Sequence, residues 1–215
     1  MTDETMKLYQ YANSPNSRRV RIFLAEKGLS IPFISIDLSK GEQHSAAYRA
    51  INSRRVVPTL VLEDGTAIGE VPAILRYLEE IHPQTPLHGE SAKERALVTM
   101  WERRVELEGF AAVMEGIRNA APGLKSRAIA GSHDYEQIPE LAERSKLRVK
   151  NFLYDFDARL TEVPFVAGEH YSIADITALV TVDFAAKAIN VLLPEKHVAL
   201  KRWYELVSKR PSASA

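Results

Sequence analysis

Apolar and polar residues alternate over Lys7 to Tyr11 (Lys-Leu-Tyr-Gln-Tyr), which predicts a first strand. The polar run Ala12-Asn13-Ser14-Pro15-Asn16-Ser17 reads as a loop. Beyond it Val20, Phe23 and Leu24 share one helical face, and Gly28 supplies the stop. Residues 32–37 (Pro-Phe-Ile-Ser-Ile-Asp) read as a second strand, so strand, helix and strand follow one another as in a parallel crossover unit. A polar stretch from Ser39 to His44 and a short helical segment from Ala46 to Ile51 lead to a hairpin. Its strands are 59–63 and 66–68, joined by the turn Asp64-Gly65. A helix from Val71 to His82 then carries Ile74, Leu75 and Leu78 on one face. This first part reads β-α-β-α-β-β-α.

Residues 82–90 break the periodicity with two prolines and a glycine and read as a linker. No convincing strand follows. Leu97, Met100, Trp101, Val105, Phe110, Met114 and Ile117 recur at helical spacing and predict one long helix. The stretch from Ala120 to Ile138, with Pro122, Gly123 and Gly131, reads as irregular. Val149, Phe152, Leu153, Phe156 and Leu160 predict another helix, and Leu200, Trp203, Leu206 and Val207 a last one over 198–209. Between them, Ser172 and Asp175 fit a capping box opening a helix with Ile176, Leu179, Val180 and Phe184, with Tyr171 and Ile176 as its hydrophobic staple. That cap is a folding signal rather than chemistry. The expected division is 6–83 as an α/β domain, 84–91 as linker and 92–211 as an all-α domain.

Charge and composition narrow the partners. Twenty-eight basic and 28 acidic residues cancel, so no global field recruits nucleic acid or an anionic membrane surface. The acidic, polar start (Met1 to Met6) has no apolar signal region, and no apolar run is long enough to span a bilayer. A cytoplasmic protein that binds neither membrane nor nucleic acid is expected. With no cysteine, the protein has no thiol of its own, so sulfur chemistry must come from a ligand. The six histidines, at 44, 82, 88, 133, 170 and 197, show no metal-ligand spacing, and no metal site is expected.

Two places carry candidate chemistry. Val56-Val57-Pro58-Thr59-Leu60 opens an apolar strand on a proline, which gives up a ladder donor and marks a shaped turn. With Val57-Pro58 in the cis form, the Val57 amide and carbonyl turn outward and can pair with an extended peptide as with another strand. Glu70 follows twelve residues after Pro58, and Val71 begins a helix with Pro72 in its first turn. The free backbone donors and positive dipole end of that helix would welcome a ligand carboxylate.

Ser14-Pro15-Asn16-Ser17-Arg18-Arg19-Val20, Val57-Pro58-Thr59-Leu60 with Glu70, and Gly168-Glu169-His170-Tyr171-Ser172-Ile173-Ala174-Asp175 occur in that order along the chain. With the β-α-β then β-β-α half and the helical half, this pattern resembles the soluble glutathione transferases from Met6 to Pro211. It is similar to their bacterial serine-type members, near the theta, zeta and nu classes. The resemblance implies a thioredoxin-like glutathione-binding domain, a helical domain for the second, electrophilic substrate, and a homodimer.

The implied chemistry begins with a thiolate. A free thiol titrates at about 8.5, so the site must favour the charged form. A hydroxyl donor worth about 1.5–3 kcal/mol would lower the pKa by roughly one to two units. Ser14 matches the position of that hydroxyl, Asn16 stands where nu-like members place a second group reaching the sulfur, and Ser17 is third. All three also suit an ordinary turn and helix cap. The Ser14-x-x-Ser17 spacing stands where redox relatives carry paired cysteines, so a reductase here would use two glutathione molecules. By the resemblance Glu70 pairs with the γ-glutamyl amine and Val57 with the cysteinyl backbone beside Pro58. Gln43 and Arg55 lie near the glycine carboxylate. Val71 replaces the serine whose hydroxyl and amide hold the γ-glutamyl carboxylate, which implies weaker binding through backbone donors alone. The charged stretch from Trp101 to Glu108 lines a substrate pocket or a dimer cleft, or is a solvated face.

The expected activity is transfer of glutathione to an electrophile, or its use to reduce peroxides or disulfides. Glutathione-dependent isomerisation is one alternative, weakened because Ser14-Pro15-Asn16 replaces the zeta Ser-Ser-Cys. A non-catalytic binding protein that keeps the fold is the other.

Overall fold

The computed structural model describes residues 5–215. Residues 1–4, the start of the polar N-terminal stretch, lie outside the described residues. The chain divides into two compact units. One holds the chain as far as Thr85 with 130–132 and 214–215, and the other holds Pro86–Ile129 and His133–Ala213.

In the first unit β1 (Lys7–Gln10) lies inside the sheet. It pairs in parallel with β2 (Phe33–Ser35), Leu8 opposite Phe33, and antiparallel with β3 (Thr59–Val61), Leu8 opposite Leu60. β4 (Ala67–Ile68) completes the order β2-β1-β3-β4. The helices α1 (Pro15–Lys27), α2 (Ala46–Ile51) and α3 (Val71–Ile81) complete the expected β-α-β-α-β-β-α order. Leu8, Val20, Phe23, Leu60, Ile74, Leu75 and Leu78 are fully buried.

Here α1 starts earlier than the loop reading placed it. Pro15 occupies its first turn, where the fixed φ suits the helix and the missing N–H costs nothing, and Ser14 caps it. Asn16 and Ser17 are therefore helical. Gly28 ends the helix at φ 64, a left-handed conformation that glycine adopts without steric cost.

In the second unit α4 (Ala92–Arg104) opens on a capping box of Ser91 and Glu94. It runs through a six-residue π-helical segment, Val105–Phe110, into α5 (Ala111–Ala120), so the long predicted helix is continuous but widened at its middle. Gly109 lies in that segment, where an added Cβ would meet the Phe152 ring at 2.8 Å. The irregular stretch that follows contains a short 3-10 turn, Pro122–Leu124, and a bridge between Arg127 and Tyr135. Then come α6 (Pro139–Glu162), α7 (Ile173–Ile189) and α8 (Val198–Ser208). Val149, Leu153, Leu160, Ile176, Leu179, Leu200 and Trp203 form its core. Leu87 is buried, and its carbonyl accepts from Ile173 N–H at 3.0 Å. Among the described residues no helix is long and apolar enough to cross a membrane.

Candidate functional site

At the start of α1 the first N–H groups have no helical partner. Ser14 Oγ accepts from Ser17 N–H at 3.3 Å, which satisfies one of them. Its own O–H has no acceptor among the described residues, so it remains available as a donor. Asn16, one residue into the helix beyond Pro15, is half-buried and accepts from Arg19 Nη1 at 3.2 Å through Oδ1. Its amide N–H groups are uncommitted. Ser17 differs from both: it is fully buried and its hydroxyl accepts from Tyr11 N–H at 3.3 Å, tying the helix to the end of β1. Its side chain is enclosed by the protein.

The second candidate stretch is held from behind. The Val57-Pro58 peptide bond is cis. Val57 packs in a small buried cluster with Ile36 and Tyr48. Tyr48 Oη donates to Val56 O at 2.6 Å and pairs with Thr59 Oγ1 at 3.0 Å, and burial pushes its phenol pKa up. Asn52 Nδ2 donates to the same two oxygens, at 3.1 Å and 2.8 Å. The Val57 main chain makes no bond within the protein among the described residues. It is a short open edge.

Glu70 caps nothing with its side chain, although it stands at the N-cap of α3. Its backbone adopts φ 63, uncommon for a residue with a Cβ and a conformation that clusters at ligand sites. Its carboxylate is exposed and paired with Arg54 Nη1 at 2.7 Å. The Val71 side chain is buried, while its amide N–H at the head of α3 has no protein partner among the described residues. Gln43 is buried with Oε1 unpartnered, and its Nε2 lies 3.1 Å from His44 Nε2. Arg55 sits at φ 59 with its Nε buried and unpartnered.

Two polar residues outside the motifs emerge from this arrangement. Arg54 reaches Glu70 across sixteen positions, which no local pattern announces. Asn52 links the Arg54 amide, the Val56 carbonyl and Thr59 in one side chain.

In the helical unit the third motif is closed. Asp175 is fully buried and accepts from Val166 N–H at 2.9 Å, Ser172 N–H at 3.0 Å, Ser172 Oγ at 3.2 Å and Trp203 Nε1 at 2.8 Å. Burial pushes its carboxyl up to about 6 against the pull of those donors. The Tyr171 ring meets Phe165 edge-on and lies under the Arg210 guanidinium, 4.0 Å from the ring centre. A cleft of about 740 Å³ in the same unit, bordered by Arg202, Glu205, Leu206 and Lys209, holds none of the motif residues.

A mixed four-stranded sheet with an open backbone edge before a buried proline-led strand, and an acid at a helix mouth, give the first unit a thioredoxin-like architecture, and the second unit is helical. The glutathione S-transferase N-terminal domain matches residues 8–86, and the C-terminal domain of that family matches 121–211. Glutathione S-transferase 2 of Saccharomyces cerevisiae is 35% identical over 211 residues, 97% of this chain and 88% of that protein. The crystal structure of Gtt2 from Saccharomyces cerevisiae superposes with a TM-score of 0.88 at 34% identity, covering 97% of this chain and 98% of that one. A maleylacetoacetate isomerase of Dictyostelium discoideum is 42% identical over 99 residues, 45% of each chain. The chain belongs to the glutathione S-transferase family.

Proposed function

We propose that this glutathione transferase holds glutathione along the Val57 edge and ionises its thiol at the mouth of α1. The thiolate is then directed at an electrophilic carbon, or at a peroxide or disulfide. The observation that carries this reading is the Ser14 hydroxyl: its oxygen is turned to Ser17 N–H, and its proton has no acceptor among the described residues. Asn16 supplies a second donor, and Ser17 supports the turn from within. Glu70 pairs with the γ-glutamyl amine, the Val71 N–H meets the neighbouring carboxylate, and Gln43 and Arg55 meet the glycine carboxylate. Catalysis is mostly positioning and charge stabilisation.

Residues 6–83 form the glutathione-binding domain, 84–91 the linker and 92–211 the domain for the second substrate. Leu97, Met100 and Leu107, exposed on α4 and the segment after it, offer apolar surface for a second copy, so a homodimer is the expected assembly. The cytoplasm, where glutathione is kept largely as the thiol, is the expected compartment.

The test joins equilibrium binding to turnover. Saturable glutathione binding with conjugation of an activated aryl halide supports the transferase reading. Binding without turnover on aryl halide, peroxide or disulfide would leave the non-catalytic and isomerase readings, which a glutathione-dependent cis–trans isomerisation assay separates, and no binding would remove all three. The partial likeness to an isomerase keeps glutathione-dependent isomerisation as a second reading, opposed by Pro15 and Asn16 in the α1 motif.

A further inference from the structure

Glu70 does not stand alone. Arg54 Nη1 donates to its Oε1 at 2.7 Å, and the two side chains are 63% and 61% exposed. An exposed ion pair of this kind contributes little to folding, so stability does not account for it. The loop beneath it is nevertheless fixed: Arg54 N–H donates to Asn52 Oδ1 at 2.9 Å, while the Asn52 amide holds Val56 O and Thr59 Oγ1. With Nη1 on Glu70, the guanidinium has no other partner among the described residues, and Nη2 and Nε are open. The second Glu70 oxygen is open as well. At the next position the Val71 side chain is 4% exposed and carries no hydroxyl.

We infer that Arg54 is a ligand-binding residue that reads the α-carboxylate of the γ-glutamyl group, in place of the hydroxyl that Val71 lacks. The inference rests on the reading of Glu70 as partner of the γ-glutamyl amine. An amino-acid head group carries an ammonium and a carboxylate on one carbon. A carboxylate and a guanidinium already side by side present the complementary pair: the ammonium meets the open oxygen of Glu70, and the carboxylate meets the open edge of Arg54 and the Val71 N–H. A guanidinium can hold a carboxylate through two parallel bonds, which an ammonium cannot do.

The test uses the full chain with three peptides measured by calorimetry. They are glutathione, 4-aminobutanoyl-Cys-Gly, which lacks the α-carboxylate, and glutaryl-Cys-Gly, which lacks the α-amine. Arg54→Gln is expected to weaken glutathione by roughly tenfold, the low end for a charge-assisted bond at an exposed position, and to leave the 4-aminobutanoyl peptide unchanged. Arg54→Lys should recover only part of the loss. Equal weakening of both peptides would overturn the inference, because Arg54 would then act only by holding Glu70. No weakening of glutathione would overturn it too. Glu70→Gln is measured alongside. If it weakens glutathione and glutaryl-Cys-Gly equally, the reading of Glu70 fails, whereas the Arg54 comparison reports on the carboxylate alone.

Discussion

The mouths of α3 and α7 are the same local problem solved in opposite ways. Both open on unpaired amides with a carboxylate in the first turn or at the cap. At α7 the Ser172 hydroxyl and the Asp175 carboxylate satisfy those amides, and Asp175 also takes Val166 N–H and Trp203 Nε1, with no exposed surface. At α3 the Glu70 side chain caps nothing, its backbone sits at φ 63, and its carboxylate faces solvent beside Arg54. A helix start whose donors are used internally is a joint in the fold. One whose backbone donors are left open can still meet the ligand proposed for it.

The largest expected effect lies at the closed end. Asp175→Ala strands several buried donors and should cost about 3–5 kcal/mol of stability, read by urea unfolding. Its pH dependence has a definite sign. The folded carboxyl, raised by burial to about 6, holds a proton that the unfolded chain has released above about 3.9. The Asp175 contribution to stability should therefore be fullest below about pH 4 and be lost as pH rises from about 4 to about 6, opposite in sign to that of Asp37, Asp64, Glu94 and Glu115, whose carboxyls are held below their usual values. Asp175→Asn should flatten that slope. An unchanged slope would mean that Asp175 is not the group responsible.

At the open end the ranking reverses: little stability, much affinity. Glu70→Ala should leave the unfolding midpoint nearly unchanged and weaken glutathione by about ten- to a hundredfold, the range for a bond to a charged group. Equal losses in stability and affinity would erase the contrast with Asp175. The smallest effect is expected at Val71→Ser, which restores a hydroxyl at the head of α3. It should tighten glutathione by about two- to tenfold while costing about 1.5–2 kcal/mol of lost apolar burial.

Much of this was legible in the chain. The Ser-Ile-Ala-Asp cap and the hairpin before Glu70 follow from local spacing, and the order of strands and helices follows from periodicity. The start of α1 differs from the loop reading because proline suits a first helical turn as well as a loop, which places Ser17 inside the helix, where it also supports Tyr11. The π segment at Val105–Phe110 keeps the apolar period nearly intact and so left no mark. Arg54 with Glu70, and Asp175 with Trp203, are side-chain meetings across 16 and 28 positions. Such meetings depend on tertiary placement and have no local signature.

In the proposed mechanism the mouth of α1 ionises glutathione through Ser14. The direct measurement is a thiolate absorbance titration of bound glutathione in the wild type and in Ser14→Ala. The wild type should show a pKa roughly one to two units below that of the free thiol, with the variant returning toward the free value. A pKa equally depressed in both would contradict the assignment to Ser14 and move it to Asn16 or the helix end.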